Sequence, residues 1–428
     1  MRVAATCAFG ADARGSLVVH HGVVSRVLLL VPTASYRAAD FQLAAARLGA
    51  TVVIGTDRDL AISRFADDRC LVVDMNRPEE AAAVIERCHE RAPLDAVVGV
   101  DEQGVLAASV AAARLGLRGN DPSSVARTRD KAAMRAAFET DGVPQPRFRV
   151  LEPPADVTEL GEEVGWPCVI KPLSGSASRG VIRADDAGEA RSAVRRIRNI
   201  LARTPAGPAA PLLVERYLPG AEVAVEGLLV SGELHVLAIF DKPDPMEGPF
   251  FEETLLITPS RLDPTTLSDV EKVTGRAAHA LGLTEGPIHA ELRVDDGRVG
   301  VLEVAARSIG GLCSRSLRFG ADTTLEELIL RHALGLSPTS DIRERRASGV
   351  MMIPVPRAGR LQDVRGRDEA LGIPGIDSVQ ITIGRTRPVH PLPEGDRYLG
   401  FIFAHADSPE GVEKALRAAH ERLEIDIA

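Results

Sequence analysis

Residues 168–180 read Cys-Val-Ile-Lys-Pro-Leu-Ser-Gly-Ser-Ala-Ser-Arg-Gly. A short apolar run with β character, Cys168–Ile170, delivers Lys171. A loop of small residues follows: Ser174, Gly175, Ser176, Ala177, Ser178, Arg179 and Gly180. Small side chains let backbone N–H groups close around an anion as a concave nest. The lysine adds a point charge beside it. The stretch is not a P-loop, because no lysine follows Gly180, and it lacks the G-x-G-x-x-G of a dinucleotide fingerprint. By itself it reads either as a phosphate cradle or as a flexible surface loop after a strand.

Downstream lies a pair of carboxylates followed by an arginine. His289–Val294 and Gly300–Val304 both alternate as strands do. Asp295-Asp296-Gly297-Arg298 lies between them, and Asp296-Gly297 is a strong hairpin signal. Pairing these strands brings Glu291 and Glu303 close. Facing carboxylates repel unless a cation lies between them, and hard oxygen ligands with nucleotide phosphates suit Mg²⁺. Arg307, four residues after Glu303, could hold a carboxylate or phosphate in a bidentate fork. The plainer alternative is two solvated glutamates on an exposed hairpin face.

Taken in order, these stretches resemble the ATP-grasp superfamily, and within it the carboxylate–amine ligases of the L-amino-acid ligase type. The resemblance runs from about Asp121 to the end of the chain. Asp121-Pro122-Ser123 followed by Arg129–Arg135 is similar to the family's leading helix, which implies that Lys131 reaches the nucleotide phosphates. Gly142–Pro146 resembles the turn into the domain's first strand. Trp166–Pro172 resembles the strand with the second ATP-contacting lysine, Lys171. Ser174, Gly175, Ser176, Ser178 and Gly180 would then form the phosphate lid. Val214–Glu222 resembles the segment that holds adenine through Glu215, Tyr217 and Leu218, and ribose through Glu222. Asp241-Lys242-Pro243 places Lys242 near the transferring phosphate. Glu291 and Glu303 fall at the metal positions, for Mg²⁺ with Mn²⁺ as second choice. Arg307, Gly310 and Gly311 fall at the substrate-carboxylate position. Glu253 is the candidate for binding a substrate ammonium or assisting deprotonation of the amine, its alternative being a lid-surface carboxylate.

Two departures matter. Where many members carry an asparagine two residues after the second metal glutamate, this chain has Ala305. Three residues after Glu253, where a histidine is frequent, stands Leu256, so a polar group is missing from the expected substrate pocket.

The chemistry implied is acyl activation. A carboxylate resists attack by an amine because an oxide must leave; a phosphoryl group taken from ATP makes phosphate the leaving group. That transfer concentrates negative charge, so catalysis rests on positioning and neutralisation by Lys131, Lys171, Lys242 and the metal. Closure of the Ser174–Gly180 loop would exclude water. The implied function is an ATP-dependent carboxylate–amine ligase acting on small-molecule carboxylate and amine substrates. The alternatives are an ATP-grasp carboxylase or purine-biosynthesis ligase, and a non-catalytic nucleotide binder.

The 428 residues suffice for two or three domains. A formal charge of −9 argues against a general nucleic-acid binder, and the Arg191, Arg195, Arg196, Arg198 cluster reads as a solvated helix face. Five scattered cysteines, Cys7, Cys70, Cys88, Cys168 and Cys313, show neither a C-x-x-C pair nor metal spacing, and suggest a reducing cytoplasm. The apolar run Val27–Val31 is far short of the roughly 20 residues that cross a membrane. Residues 1–25 are expected to be an extension, not a signal peptide.

The expected fold class combines α/β and α+β units in an ATP-grasp fold. Residues 26–120 alternate apolar strands with alanine-rich helices, the pattern of a parallel sheet covered on both faces. Its turns Pro32–Tyr36 and Asp101-Glu102 either rim the active site or are ordinary loops. Residues 121–336 form the ATP-grasp unit, with a lid lobe at about 147–213. Residues 337–428 form a small C-terminal α+β domain, a sheet with a terminal helix packed on it. A homodimer is expected from the family alone.

Overall fold

The computed structural model describes residues 24–59, 69–320, 322–337 and 340–428, and the backbone pairing of Gly10–Ala11 with Leu17–Val18. The expected 1–25 extension therefore lies almost wholly outside the described residues.

The N-terminal unit is a four-stranded parallel sheet. Its order is Cys70–Val72, Thr51–Thr56, Arg26–Leu30, Ala96–Gly99. Val27, Leu28, Leu29 and Leu30 are all fully buried, because helices cover both faces. This explains why the run is continuously apolar and does not alternate. The carboxyl ends of these strands carry Pro32–Tyr36 and Asp101-Glu102 to the cavity described below.

The lid lobe is a four-stranded antiparallel sheet ordered Phe148–Leu151, Leu212–Arg216, Cys168–Pro172, Ile182–Ala184. Helix Ala187–Leu201 is capped by the Asp186 side chain and buries Ala190, Ala193, Ile197 and Leu201 against that sheet. Arg191, Arg195 and Arg196 consequently face solvent on the opposite side, with Arg198 half-buried.

The third unit is built on an eight-stranded antiparallel sheet. Its order is Arg298–Ala305, Gly286–Asp295, Ala221–Val230, Glu233–Lys242, Leu255–Thr258, Ala347–Ile353, Gly400–Ala406, Ile376–Ile381. The C-terminal strands do not stand apart as a sheet of their own: Ala347–Ile353 pairs with Leu255–Thr258 and extends the ATP-grasp sheet. That pairing covers an otherwise open edge, and strand patterning alone does not reveal which edge a strand will cover. Helix Pro409–His420 packs on this extension, and Glu424–Ile427, Gly359–Arg365 and Pro388–Val389 form a separate small sheet.

The first four strands of the large sheet alternate, apart from bulges at Glu226/Gly227 and Glu291/Leu292. Val223, Val225, Ala290, Leu292 and Val301 point into a core shared with helices Lys131–Thr140 and Pro264–Leu281. Their neighbours in sequence therefore point to the other face, towards the lid.

Candidate functional site

On that lid-facing side the pairing lines side chains up in rows across the strands. The first row is Lys242, Glu222, Arg293; the second is Ala224, Glu291, Glu303; the third is Glu226, His289, Ala305. The hairpin turn behind the second row has positive φ at both Asp296 (48°) and Gly297 (73°), the geometry that favours a tight two-residue connection. A bulge after Glu291 sets Glu303 directly opposite it.

These rows floor a cavity of about 500 Å³ between the sheet and the lid. Every nucleotide, metal and substrate residue anticipated from the sequence lines it except Gly180, a buried residue at the end of the phosphate loop. The loop backbone turns left-handed at Gly175 (φ 117°), Ala177 (57°), Ser178 (52°) and Gly180 (72°). Only small residues accept left-handed backbone cheaply, and the Gly180 N–H at the end of the loop is itself taken by the Pro393 carbonyl. Lys131 opens its helix beside the loop, its N–H bonded to the Leu173 carbonyl and its ammonium to the Gly175 carbonyl (3.1 Å).

Charge is concentrated under the loop. Lys171 Nζ lies 2.6 Å from Glu215, which also accepts from Arg135. Burial alone would raise the Glu215 carboxyl, but Arg135 and Lys171 outweigh it and hold it below the usual range. Lys171 is pushed down by burial and by the neighbouring cations Arg135 and Lys131. Two cations therefore share the buried Glu215 carboxylate, with Lys131 close by on Glu303. Arg135 was missed in the sequence, although it shares the helix of Lys131; its guanidinium also ties the bulge carbonyl of Leu302 (2.7 Å).

Lys242 is enclosed by carboxylates: Glu222 at 2.7 Å, Glu291 at 3.5 Å, and Glu253 in close contact. Burial would lower its ammonium, but these three outweigh burial and lift it well above the ordinary lysine value. Glu253 is the weakest acid of the set. Burial, with Glu291 and Glu222 nearby, pushes it up to about 7 despite Lys242. Glu222, expected at ribose, is bound here by Lys242 and by Arg293 Nε (3.0 Å). Arg293 itself packs over Tyr217, which stacks on Phe251.

The third row was not anticipated. His289 lies 3.2 Å from buried Glu226 and 3.7 Å from Glu291. Burial opposes its charge, but the two carboxylates outweigh burial and raise the imidazole to about 9. Glu226 also accepts the Ile309 N–H (2.9 Å), anchoring the Ser308–Gly311 loop. Period-2 spacing from Glu291 would have found His289.

Among the described residues, one group of three acids is close enough to share a cation: Glu222, Glu253 and Glu291. Glu303 is instead bound by Lys131 at 3.2 Å. Both sets are all-oxygen, which fits a hard divalent cation. Ala305 lies beside them and contributes no donor atom.

Arg307 donates to Glu102 of the N-terminal sheet (2.8 Å) and to the Ser308 carbonyl. Ser308 is held by buried Arg37 (2.8 Å), another residue without a sequence signal. Arg315 points away to Asp40 and Gln380, a structural bridge, and Arg318 binds neighbouring carbonyls. Among the described residues the four cysteines are unpaired, and no helix is long and apolar enough to cross a membrane.

Comparison with known proteins agrees with this geometry. Residues 164–316 match the ATP-grasp domain, 41–119 the ATP-grasp N-terminal domain, and 351–428 the L-amino acid ligase C-terminal domain 2. The chain thus carries an ATP-grasp domain together with its N-terminal domain, and ATP-grasp enzymes are a class that uses ATP and divalent metal ions. Within that class its relatives are of the L-amino acid ligase type. It is 28% identical to the L-amino acid ligase from Bacillus licheniformis, whose crystal structure superposes with a TM-score of 0.79 over 94% of this chain and 99% of that one. It is 31% identical over 255 residues to the alanine–anticapsin ligase of Bacillus subtilis, covering 55% of this chain and 53% of the ligase. An uncharacterized protein of Sinorhizobium fredii is 28% identical over 316 residues, 73% of this chain and 64% of that one. The matched region thus spans between about half and two thirds of the length of these curated relatives.

Proposed function

We propose that the chain is an ATP-dependent carboxylate–amine ligase that forms an amide or peptide bond through an acyl phosphate, with an amino-acid-like substrate. One observation carries this reading: a single cavity joins the phosphate loop and its lysines to the acidic hairpin and, beyond it, to Arg307. A nucleotide binder without chemistry has no use for the last of these. The match to the L-amino acid ligase C-terminal domain favours amide formation over the carboxylase and purine-ligase alternatives.

In this reading Lys131, Lys171 and the Ser174–Gly180 backbone hold the polyphosphate, with Lys242 nearest the transferred group. Glu215, Tyr217 and Leu218 face the base, and Glu222 the ribose. Arg307, with Gly310 and Gly311, anchors the acid so that its carboxylate oxygen attacks the γ-phosphorus as the bond to the β-phosphate oxygen breaks. Glu291 and Glu303 would hold Mg²⁺, which supplies charge neutralisation across the phosphates. The amine nitrogen then attacks the acyl carbon, the carbon–oxygen bond to phosphate breaks, and Glu253 receives the nitrogen's proton. A carboxyl group raised to about 7 suits that exchange. Free cysteines support a cytoplasmic location.

The test is release of ADP and phosphate from Mg-ATP that requires both an acid and an amine. A product mass equal to acid plus amine minus water supports the ligase. Release that requires bicarbonate instead would replace it with a carboxylase.

A further inference from the structure

Past the reacting groups the cavity changes character. Its end wall is made by Tyr36, Leu256, Ile309, Cys313, Met352 and Tyr398, drawn from all three parts of the chain. Leu256, Ile309, Cys313 and Met352 belong to one buried apolar cluster, with Tyr36 and Tyr398 packed on it. Both tyrosines meet Phe401 edge-on, with ring centroids 6.0 Å and 6.5 Å away. Gly311 lies against the same ring: a Cβ there would come within 2.9 Å of Phe401. Phe401, buried behind the wall, thus packs against the loop assigned to the substrate carboxylate.

The charges at this end lie on the Tyr36 side, at Asp101, Asp396 and Arg397. Burial pushes the Cys313 thiol and the Tyr398 phenol up, so both stay neutral. Glu253 stands near, with one carboxylate oxygen on Lys242. Asp101, Asp396 and Arg397 also line the cavity, and the last two are exposed at its rim. A charged or amide side chain placed against the Leu256 and Met352 side chains would lose water and meet only carbon and sulfur there. An apolar side chain there gains contact without that loss.

Resting on the ligase reading, we infer that the acid activated by this chain carries an apolar side chain of medium to large size, received by the Leu256–Met352–Tyr398 wall. The replacement of the frequent histidine by Leu256 is part of that selectivity: it takes the hydrogen-bonding group out of the wall.

The experiment measures ADP release with Mg-ATP, one fixed amine, and in turn leucine, methionine, phenylalanine, serine, asparagine, aspartate and lysine as the acid. Fragmentation of the product identifies which component was activated. Leucine, methionine or phenylalanine is expected to exceed the other four by roughly tenfold or more in kcat/KM, since a hydrophobic pocket gains that much per buried carbon. In Met352→Gln, which keeps length but places an amide in the wall, the ratio of leucine to asparagine should fall by about the same factor. Tyr398→Ser, at a half-buried position, should shift it in the same direction and carries the test if Met352→Gln does not fold. Amide formation with serine, asparagine, aspartate or lysine as the best acid would overturn the inference and leave the ligase intact. An unchanged ratio in both folded variants would overturn it too. No ADP release with any acid would remove the ligase reading and the inference with it.

Discussion

Glu291 and Glu303 are direct partners in the hairpin register, yet each is held by a different lysine. Lys242 stands 3.5 Å from Glu291, and Lys131 stands 3.2 Å from Glu303. The two lysines arrive from separate elements, a sheet strand and the leading helix. The second row of the floor is therefore balanced by protein cations that a metal and a polyphosphate would rearrange.

Removing Glu303 should expose that dependence. Its side chain is 31% exposed, so Glu303→Ala should leave the circular dichroism spectrum and melting temperature close to those of the parent. ADP release should fall on the order of 100-fold or more, as when a group that stabilises transition-state charge is lost. Unchanged turnover would sink the metal assignment.

Arg135 is argued to be structural as well as electrostatic. It lies buried against Glu215 and the Leu302 carbonyl. Arg135→Ala leaves that carboxylate with Lys171 alone and should cost about 3–5 kcal/mol of stability, the range for breaking a buried pair. Urea unfolding measures it; a loss under about 1 kcal/mol would mean that Glu215 is better satisfied than its contacts indicate.

Glu253 predicts a pH signature. Burial raises its carboxyl from 4.5 to about 7, so between those values the folded chain keeps a proton that the unfolded chain has released. The stability from that proton is full below 4.5 and is lost as pH rises through about 7. Glu253→Gln lacks this loss. Its melting temperature, measured without ligands from pH 5 to 8, should gain on the parent's as pH rises. Parallel curves would assign the raised carboxyl elsewhere.

The lid touches the C-terminal part at Pro393, Glu394 and Asp396. Arg196 forks onto Glu394 (2.6 and 2.9 Å), and the Gly180 N–H at the end of the phosphate loop donates to the Pro393 carbonyl (2.9 Å). The ion pair is exposed and so worth at most about 1 kcal/mol. Glu394→Ala should raise the ATP KM by no more than about fivefold, and 0.5 M salt should erase the difference between variant and parent. A larger effect that persists in salt would place Glu394 in direct contact with substrate.

Local chemistry made the hairpin legible: Asp296-Gly297 specifies the tight turn, and alternation puts Glu291 and Glu303 on one face. The backbone of the Ser174–Gly180 loop was legible for the same reason, since small residues are what left-handed backbone demands. The Lys242 cage was not, because Glu222, Glu253 and Glu291 meet it only through strand pairing that no single segment encodes. His289 could have been found from its spacing to Glu291, but a lone histidine in a strand carries no chemistry until Glu226 is placed opposite. Arg37, which holds Ser308 from behind, and Tyr398, which lines the cavity, come from distant parts of the chain and are brought there by tertiary packing. A sheet was expected within residues 337–428, and only the open edge of Leu255–Thr258 explains where its strand Ala347–Ile353 goes.

The most direct measurement is ADP and phosphate release with Mg-ATP across a matrix of small carboxylates, with and without amines, with products weighed by mass spectrometry. Release that depends on a carboxylate, together with a product of mass acid plus amine minus water, is the predicted result. ATP binding without release anywhere in the matrix, or release that follows bicarbonate, would contradict the ligase assignment.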